Sequence, residues 1–118
     1  MTSSIRNVSS IVEQGRDGVW LYRKFSDGTA ECWSYKSVNN VSITTQYGNA
    51  YYGAERTSNF PSGLFASAPT PIIHVYSSSG TWAGASDWSK TSYSYYPFSP
   101  TSGTFNLYET CYAVGTWK

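Results

Sequence analysis

The chain has 118 residues, with 18% aromatic and 13% charged side chains and a formal net charge of +1. A charged fraction near half of the roughly 25% found in soluble domains, together with abundant aromatic rings, excludes a disordered chain. The near-neutral charge excludes nucleic acid as the partner, and no apolar run reaches the roughly 18 residues of a membrane span.

Short runs of β-branched and aromatic residues, separated by Gly, Pro, Asn and Ser, predict strands along the chain, and helical periodicity is almost absent. The strands are predicted near 8–13, 18–25, 29–36, 41–47, 50–56, 70–77, 91–98 and 104–114. Regular short strands favour one all-β domain over residues 1–118, an antiparallel β-sandwich of about six to eight strands. Residues 1–10 are expected to include a flexible N-terminal arm, and no signal peptide is expected because they lack an apolar core.

The segment LYRKFSDGTAECWSY at 21–35 concentrates charge between aromatic rings and predicts a hairpin at Asp27 and Gly28. A two-residue turn would place Lys24 opposite Glu31. A three-residue loop with Gly28 in a bulge would place Arg23 opposite Glu31 instead. Both registers pair opposite charges, so we interpret the charges as a device that fixes strand register. A ligand-binding role for Arg23 or Lys24 is the alternative.

Two cysteines, Cys32 and Cys111, are too few for a disulfide framework. We favour two buried free thiols over a bridge between them. With a single histidine, His74, the chain offers no four-ligand zinc site, so neither a metal nor a cofactor is expected.

Catalytic motifs are absent from the sequence. His74 has no triad spacing around it, and the two nearby carboxylates, Asp27 and Glu31, are separated only by the predicted turn. A glycoside hydrolase would need two carboxylates flanking a substrate, and Glu31 already has a cationic partner in either register. We therefore expect no enzyme and no catalytic residues.

The segment from Ser77 to Ser92 lacks periodicity and predicts a long surface loop. It carries two tryptophans, and the strand that follows adds three tyrosines. Flat rings beside hydroxyl and amide groups suit neutral sugars, because apolar sugar faces can lie on aromatic rings. The candidate ligand-binding residues are Trp82, Trp88, Tyr93, Tyr95 and Tyr96. Packing of these rings within the sandwich or between subunits is the alternative.

Four segments carry a family resemblance: IVEQG at 11–15, WLYRKFSDGTAECW at 20–33, FPSGLF with the following AP at 60–69, and AVGTWK at 113–118. They resemble the C-terminal domain of tail-fibre and minor structural proteins of phages and prophages of Gram-positive gut bacteria. In that family a Trp usually stands where this chain has Phe25. The FP…F…P element also weakly resembles small trimeric sandwich lectins of the H-type.

The tail-fibre resemblance implies a β-rich tip domain of a virion fibre that assembles as a homotrimer. It further implies assembly in the bacterial cytoplasm, a place in the virion and contact with the host surface, where the candidate ring residues favour a cell-surface glycan as the partner. The alternative function is a stand-alone bacterial carbohydrate-binding, lectin-like module.

Overall fold

The computed structural model describes residues 9–118, and within them every regular element is a β-strand. The strands are β1 (Ile11–Asp17), β2 (Trp20–Phe25), β3 (Thr29–Tyr47), β4 (Ala50–Gly53), β5 (Arg56–Asn59), β6 (Thr70–Tyr76), β7 (Trp82–Trp88), β8 (Ser92–Ser99) and β9 (Gly103–Thr116). All of them pair antiparallel in one nine-stranded sheet that curls on itself. The predicted all-β, sandwich-like fold is confirmed, with nine strands in place of six to eight.

The two longest strands, β3 and β9, form the spine of the molecule. They pair from Thr29 opposite Thr116 to Ile43 opposite Gly103. β2 lies on the other edge of β3, and β6 on the other edge of β9. Near its end β3 pairs with β4, and β4 pairs with β8, which carries β5 and β7. The sheet thereby folds over so that β8 lies against β9.

β3 is continuous where two strands, 29–36 and 41–47, were predicted. A bulge between Val38 and Val41 shifts the register with β9. Asn40 adopts a φ of 58° there, and its backbone N–H donates to Asn106 Oδ1 at 3.0 Å. Asn tolerates this left-handed conformation better than most residues, so the bulge bends the strand without ending it.

The main core lies between the two layers and is built from inward-facing aromatic and small residues. Trp20 packs against Phe60 and Tyr93, and its indole Nε1 donates to the Asn59 carbonyl at 2.8 Å. Cys32 and Cys111 are free and buried in this core, the arrangement that the sequence favours. Burial raises the pKa of each thiol to about 12, so both stay protonated at neutral pH. A smaller core of Val41, Ile43 and Leu107 lies farther along β3 and β9.

The hairpin between β2 and β3 selects one of the two predicted registers. Arg23 lies opposite Glu31, so the two-residue turn with Lys24 opposite Glu31 is wrong. The loop has three residues because Gly28, at a φ of 95°, donates its N–H to the Phe25 carbonyl at 3.0 Å. Asp27 accepts from the Thr29 N–H at 3.0 Å and closes the turn.

The long surface loop predicted from Ser77 to Ser92 is wrong, because its central part, Trp82–Trp88, is strand β7. The middle of β7, AGASD, has little intrinsic strand preference. Hydrogen bonding along β8 imposes the extended conformation instead, which is how tertiary context overrides propensity. The sequence also predicted one strand at 50–56, where the structure has two short strands, β4 and β5.

Most of the predicted N-terminal arm, residues 1–8, lies outside the described residues. Ser9 and Ser10 lie against the β2–β3 turn: Ser9 Oγ accepts from the Asp27 N–H at 3.4 Å, and the Ser10 carbonyl accepts from the Ser26 N–H at 2.8 Å. Lys118 reaches the same turn, where its Nζ donates to the Ser26 carbonyl at 3.3 Å. Both ends of the described chain therefore lie at one end of β3.

The opposite end of the molecule is the turn after Tyr47. β3 has 19 residues, which at about 3.3 Å per residue span roughly 60 Å. The longest dimension of the molecule is also 60 Å, against 28 and 24 Å across. The Gly28 turn and the Tyr47 turn thus mark the two ends of an elongated domain.

Candidate functional site

The five residues predicted to bind a ligand do not form one surface. Tyr93 and Tyr95 are fully buried, with 0% exposure, and cannot touch a ligand at the surface. Tyr96 follows them directly but faces outward, because successive residues of a strand point to opposite faces of the sheet. The prediction for Tyr93 and Tyr95 is therefore wrong, and their rings pack the core.

The hydroxyls of the two buried tyrosines meet on the carboxylate of Glu109. Tyr93 donates to Oε2 at 2.6 Å and Tyr95 donates to Oε1 at 2.5 Å. Ser58 donates to Oε2 at 2.9 Å, and Lys36 Nζ lies 3.5 Å from the same oxygen. This group, the Glu109 cluster, joins β3 and β9 in one layer to β5 and β8 in the other.

The Glu109 cluster keeps its carboxylate ionised although the side chain is buried. Burial alone would raise the pKa of Glu109, but the hydrogen bonds from Tyr93 and Tyr95 and the charge of Lys36 outweigh it and lower the pKa below 4.5. Burial and the same hydrogen bonds raise the pKa of both tyrosines. Tyr93 and Tyr95 thus stay protonated and Glu109 stays charged over a wide range of pH. Each of these buried polar groups therefore keeps its hydrogen-bond partner.

An open pocket of about 260 Å³ lies on the outer surface near the Tyr47 turn, lined by Tyr47, Tyr52, Tyr96 and Phe98. We call it the aromatic pocket. The Tyr52 ring is its centre: its centroid lies 6.1 Å from Tyr47, 5.9 Å from Tyr96 and 6.0 Å from Phe98. Most of these contacts are edge-on or tilted, the geometry that aromatic pairs prefer.

Three strands position the aromatic pocket. Tyr47 ends β3, Tyr52 lies on β4 opposite Phe98, and Tyr96 and Phe98 occupy successive outward positions of β8. Trp82 on β7 lies opposite Phe98 and stacks on its ring at 5.7 Å with an angle of 9°. Gly84 leaves room for this arrangement, because a Cβ there would lie 2.7 Å from Phe98 Cε2.

The second predicted tryptophan, Trp88, is exposed but lies apart from Trp82. The register shifts between Ala85 and Asp87, and Trp88 then pairs with Tyr93 where Trp82 pairs with Phe98. Six residues of strand separate the two tryptophans by roughly 20 Å. The structure therefore brings Trp82 and Tyr96 together at the aromatic pocket and leaves Trp88 outside it.

A second exposed aromatic surface covers the outer side of β3, β9 and β6. The ring of Tyr108 stacks on Tyr35 at 5.4 Å and on Tyr76 at 6.3 Å. Tyr112 lies opposite Ile72 on the neighbouring strand. The exposed residues of this surface, which we call the outer tyrosine face, are Tyr35, Ile72, Tyr76, Tyr108, Tyr112 and Val114.

The cations of the predicted hairpin have partners within the protein. Arg23 Nη1 lies 3.7 Å from Glu31, and its guanidinium carbon lies 5.1 Å from the Trp33 ring centroid. Lys24 Nζ lies 3.4 Å from Glu13. These contacts support the interpretation that the charges fix strand register. They do so between β1 and β2 as well as between β2 and β3.

Residues of the kinds used in catalysis and metal binding are scattered over the described chain. His74 is exposed on β6. In residues 9–118 no three His, Cys, Asp or Glu side chains lie close enough together to hold a metal ion. The same range contains no helix with the length and apolar character needed to cross a membrane.

Sequence reasoning missed Tyr47, Tyr52 and Phe98 as site residues and Glu109 as a core residue. The alternation of inward and outward residues along a strand could have identified Phe98 and Glu109. In SYSYYPFS at 92–99, alternation separates Tyr93, Tyr95 and Pro97 from Tyr96 and Phe98. In LYETCYA, the same alternation places Glu109 inward with Leu107 and Cys111.

The fold is similar to that of tail-fibre structures. The C-terminal residues 323–701 of the P. aeruginosa R1 pyocin fibre match with a TM-score of 0.66 and 16% identity, over 87% of this chain and 27% of that one. An N-truncated R1-type pyocin tail fibre matches with the same TM-score and identity, over 84% of its length. At this identity the likeness shows a shared fold.

No protein-family profile matches the chain, and no curated protein matches it. The chain spans about a quarter of the longer fibre structure.

Proposed function

We propose that this chain is a structural and host-recognition domain of a phage or prophage tail fibre and that it has no catalytic activity. The observation that carries the proposal is the fold: 87% of the chain superposes on R1 pyocin tail-fibre structures. The sequence resemblance to tail-fibre domains of phages of Gram-positive bacteria supports the same function independently of the fold. The proposed place of the protein is the virion, after assembly in the bacterial cytoplasm.

The proposed assembly is a homotrimer of single domains. Its support is the outer tyrosine face, where large apolar side chains such as Tyr35 and Ile72, each 64% exposed, are concentrated on one side of the sheet. Contiguous exposed apolar surface of this kind marks protein contacts. The occupant we propose is the same face of other copies of the chain, and the number three comes from the tail-fibre resemblance.

Light scattering after size exclusion, over a range of concentrations, tests the assembly. We expect three times the mass of one chain, falling to a single-chain mass for Tyr108→Lys because a charge at the centre of the face would be buried. Tyr47→Lys is the matched control, since Tyr47 is an exposed tyrosine outside the face. A monomer at all concentrations, or equal effects of both substitutions, would contradict the trimer.

Recognition of the host surface is tested with the purified chain labelled by a fluorophore. We expect saturable binding to cells of a susceptible strain, competition with adsorption of the phage, and loss of binding after periodate oxidation of surface glycans. Binding that persists after oxidation but disappears after protease treatment would replace the glycan by a protein receptor.

A stand-alone bacterial lectin-like module is the second candidate function, and the exposed rings of Trp82 and the aromatic pocket favour it. Antibodies against the chain separate the two candidates. Labelling of purified particles at the tail supports the fibre domain, whereas antigen found only on cells or in the medium supports the module.

A further inference from the structure

We infer that the aromatic pocket, formed by Tyr47, Tyr52, Tyr96 and Phe98, is a binding subsite for one neutral sugar ring of a polysaccharide. The inference rests on the proposed host recognition and deepens it by naming the residues and the ligand class. It moves the predicted site away from Tyr93, Tyr95 and Trp88.

The walls of the pocket suit the two kinds of surface that a pyranose presents. Its rings offer apolar faces for the C–H side of a sugar, as aromatic side chains do in many ligand sites. Among residues 9–118, the tyrosine hydroxyls that donate to protein groups are those of Tyr22, Tyr93, Tyr95 and Tyr112. The hydroxyls of Tyr47, Tyr52 and Tyr96 are therefore available to a ligand. In contrast, the hydroxyls of Tyr93 and Tyr95 are engaged by Glu109.

The lining indicates an uncharged ligand. All four residues that line the pocket are uncharged aromatic side chains. An anionic sugar would gain from an Arg or Lys in the wall, because carboxylates and phosphates are bound by charge-assisted hydrogen bonds. A neutral sugar needs no such partner.

The size indicates one ring. The volume of about 260 Å³ lies just below the roughly 300–1,000 Å³ of pockets that enclose drug-sized ligands. The pocket is open, so one ring can be seated while the rest of a polysaccharide continues over the surface. The exposed Trp82, stacked on Phe98, lies beside it as a second aromatic contact for a neighbouring ring.

The position of the pocket suits recognition better than self-assembly. Tyr47 lies at the end of β3 opposite the Gly28 turn, where Ser9 and Lys118 both lie. None of the four lining residues belongs to the outer tyrosine face. The pocket is therefore open to a large ligand when the outer tyrosine face is covered.

The backbone holds the pocket in place before any ligand arrives. Tyr52 and Phe98 are cross-strand partners, and β7 fixes Phe98 through Trp82. Side chains on paired strands lose little freedom on binding, which reduces the entropy cost of a weak contact.

Ligand-observed NMR of the full chain tests the inference with methyl glycosides of glucose, galactose, mannose and N-acetylglucosamine, and with methyl glucuronide as the anionic comparison. We expect saturation transfer to at least one neutral glycoside, stronger than to the glucuronide. We expect Tyr47→Ala and Tyr96→Ala each to weaken binding about three- to tenfold, the range for losing one aromatic contact. Trp88→Ala, which removes an exposed ring outside the pocket, is the matched control and should bind as the native chain does.

Three outcomes overturn the inference: no neutral glycoside binds, Trp88→Ala weakens binding as much as the pocket substitutions do, or the pocket substitutions dissociate the oligomer. Cell binding separates this failure from failure of the proposed function. A native chain that binds cells, with pocket variants that bind equally well, overturns the pocket and leaves host recognition standing. A chain that binds a glycoside through the pocket but binds no host cell leaves the pocket standing and overturns host recognition.

Discussion

Strand β8 carries aromatic rings into two regions that differ in almost every physical respect. On its inner face, Tyr93 and Tyr95 are fully buried and donate both hydroxyls to Glu109. On its outer face, Tyr96 and Phe98 line the open aromatic pocket. The inner rings hold two layers of the sheet together, whereas the outer rings contact mainly one another.

The comparison shows that a tyrosine-rich composition does not by itself indicate a binding surface. The partner of the hydroxyl decides the role of the ring. Where a buried carboxylate accepts from it, the tyrosine is part of the core and its loss exposes an unsatisfied acceptor. Where the hydroxyl faces solvent, the ring can change its partner at little cost to the fold. Substitutions in the two regions should therefore separate stability from binding.

The largest effect is expected for Glu109→Ala. It leaves the Tyr93 and Tyr95 hydroxyls buried without their acceptor, and breaking a buried charged cluster costs about 3–5 kcal/mol. Urea denaturation followed by tryptophan fluorescence measures the loss in the free energy of unfolding. Glu55→Ala removes an exposed carboxylate as the control and should change little. Equal stability of the two variants would show that the Glu109 cluster does not hold the layers together.

The pH dependence of stability sharpens the same contrast. Because the pKa of Glu109 is lowered from 4.5 in the folded protein, its contribution is complete above pH 4.5 and is lost as the pH falls through the folded value. The pKa of Tyr95 is raised from 10.0 by burial and by Glu109, so its contribution is complete below pH 10 and is lost as the pH rises further.

Denaturation midpoints from pH 2 to 11 should therefore fall at both ends of the range. In Glu109→Gln the acid limb should flatten relative to the native protein, while Tyr96→Phe should follow the native curve. An acid limb that is unchanged in Glu109→Gln would assign it to other carboxylates, such as the exposed Glu13 and Asp27.

Much of the fold follows from local sequence. Asp27 and Gly28 specify the β2–β3 turn, because Gly28 alone meets the need for positive φ. Alternating apolar residues specify most strand positions. The local residues do not determine the register of that hairpin or the continuity of β3 through Asn40. Both depend on the pairing of β3 with β9, and the local residues permit the bulge but do not require it.

Less of the candidate site could be predicted. Trp82 and Tyr96 were found as exposed rings, but the aromatic pocket also needs Tyr47 and Tyr52, which are far away in sequence. The curl of the sheet through β4 brings them to β8, and this closure is a tertiary event without a local signal. Tyr93 and Tyr95 were misplaced although a strand near 91–98 was predicted, because its alternation was not used to separate their inward face from the outward face of Tyr96.

A smaller and more specific effect is expected from deleting single hydroxyls. Tyr93→Phe leaves Glu109 with one donor fewer, and a hydrogen bond to a charged group contributes about 1.5–3 kcal/mol. Tyr96→Phe deletes a hydroxyl that has no partner among residues 9–118 and should leave the unfolding free energy unchanged. Thermal and urea denaturation of the two variants measure the difference, and a loss in Tyr96→Phe equal to that in Tyr93→Phe would remove the distinction between the two regions.

The smallest effect on stability, and the most direct effect on the outer region, is expected for Gly84→Ala. The added Cβ would lie 2.7 Å from Phe98 Cε2, closer than side-chain carbons approach, so the Phe98 ring, which stacks on Trp82, must shift. Because both rings are partly exposed, the cost should stay near the lower end of the roughly 1–3 kcal/mol seen for overpacking. The tryptophan emission of the chain, to which Trp82 contributes, and the affinity of the aromatic pocket should both change. In a Phe98→Leu background, which removes the clashing ring, Gly84→Ala should have almost no effect on stability. A Gly84→Ala cost that is the same in both backgrounds would show that the glycine acts on the strand backbone and not on the pocket wall.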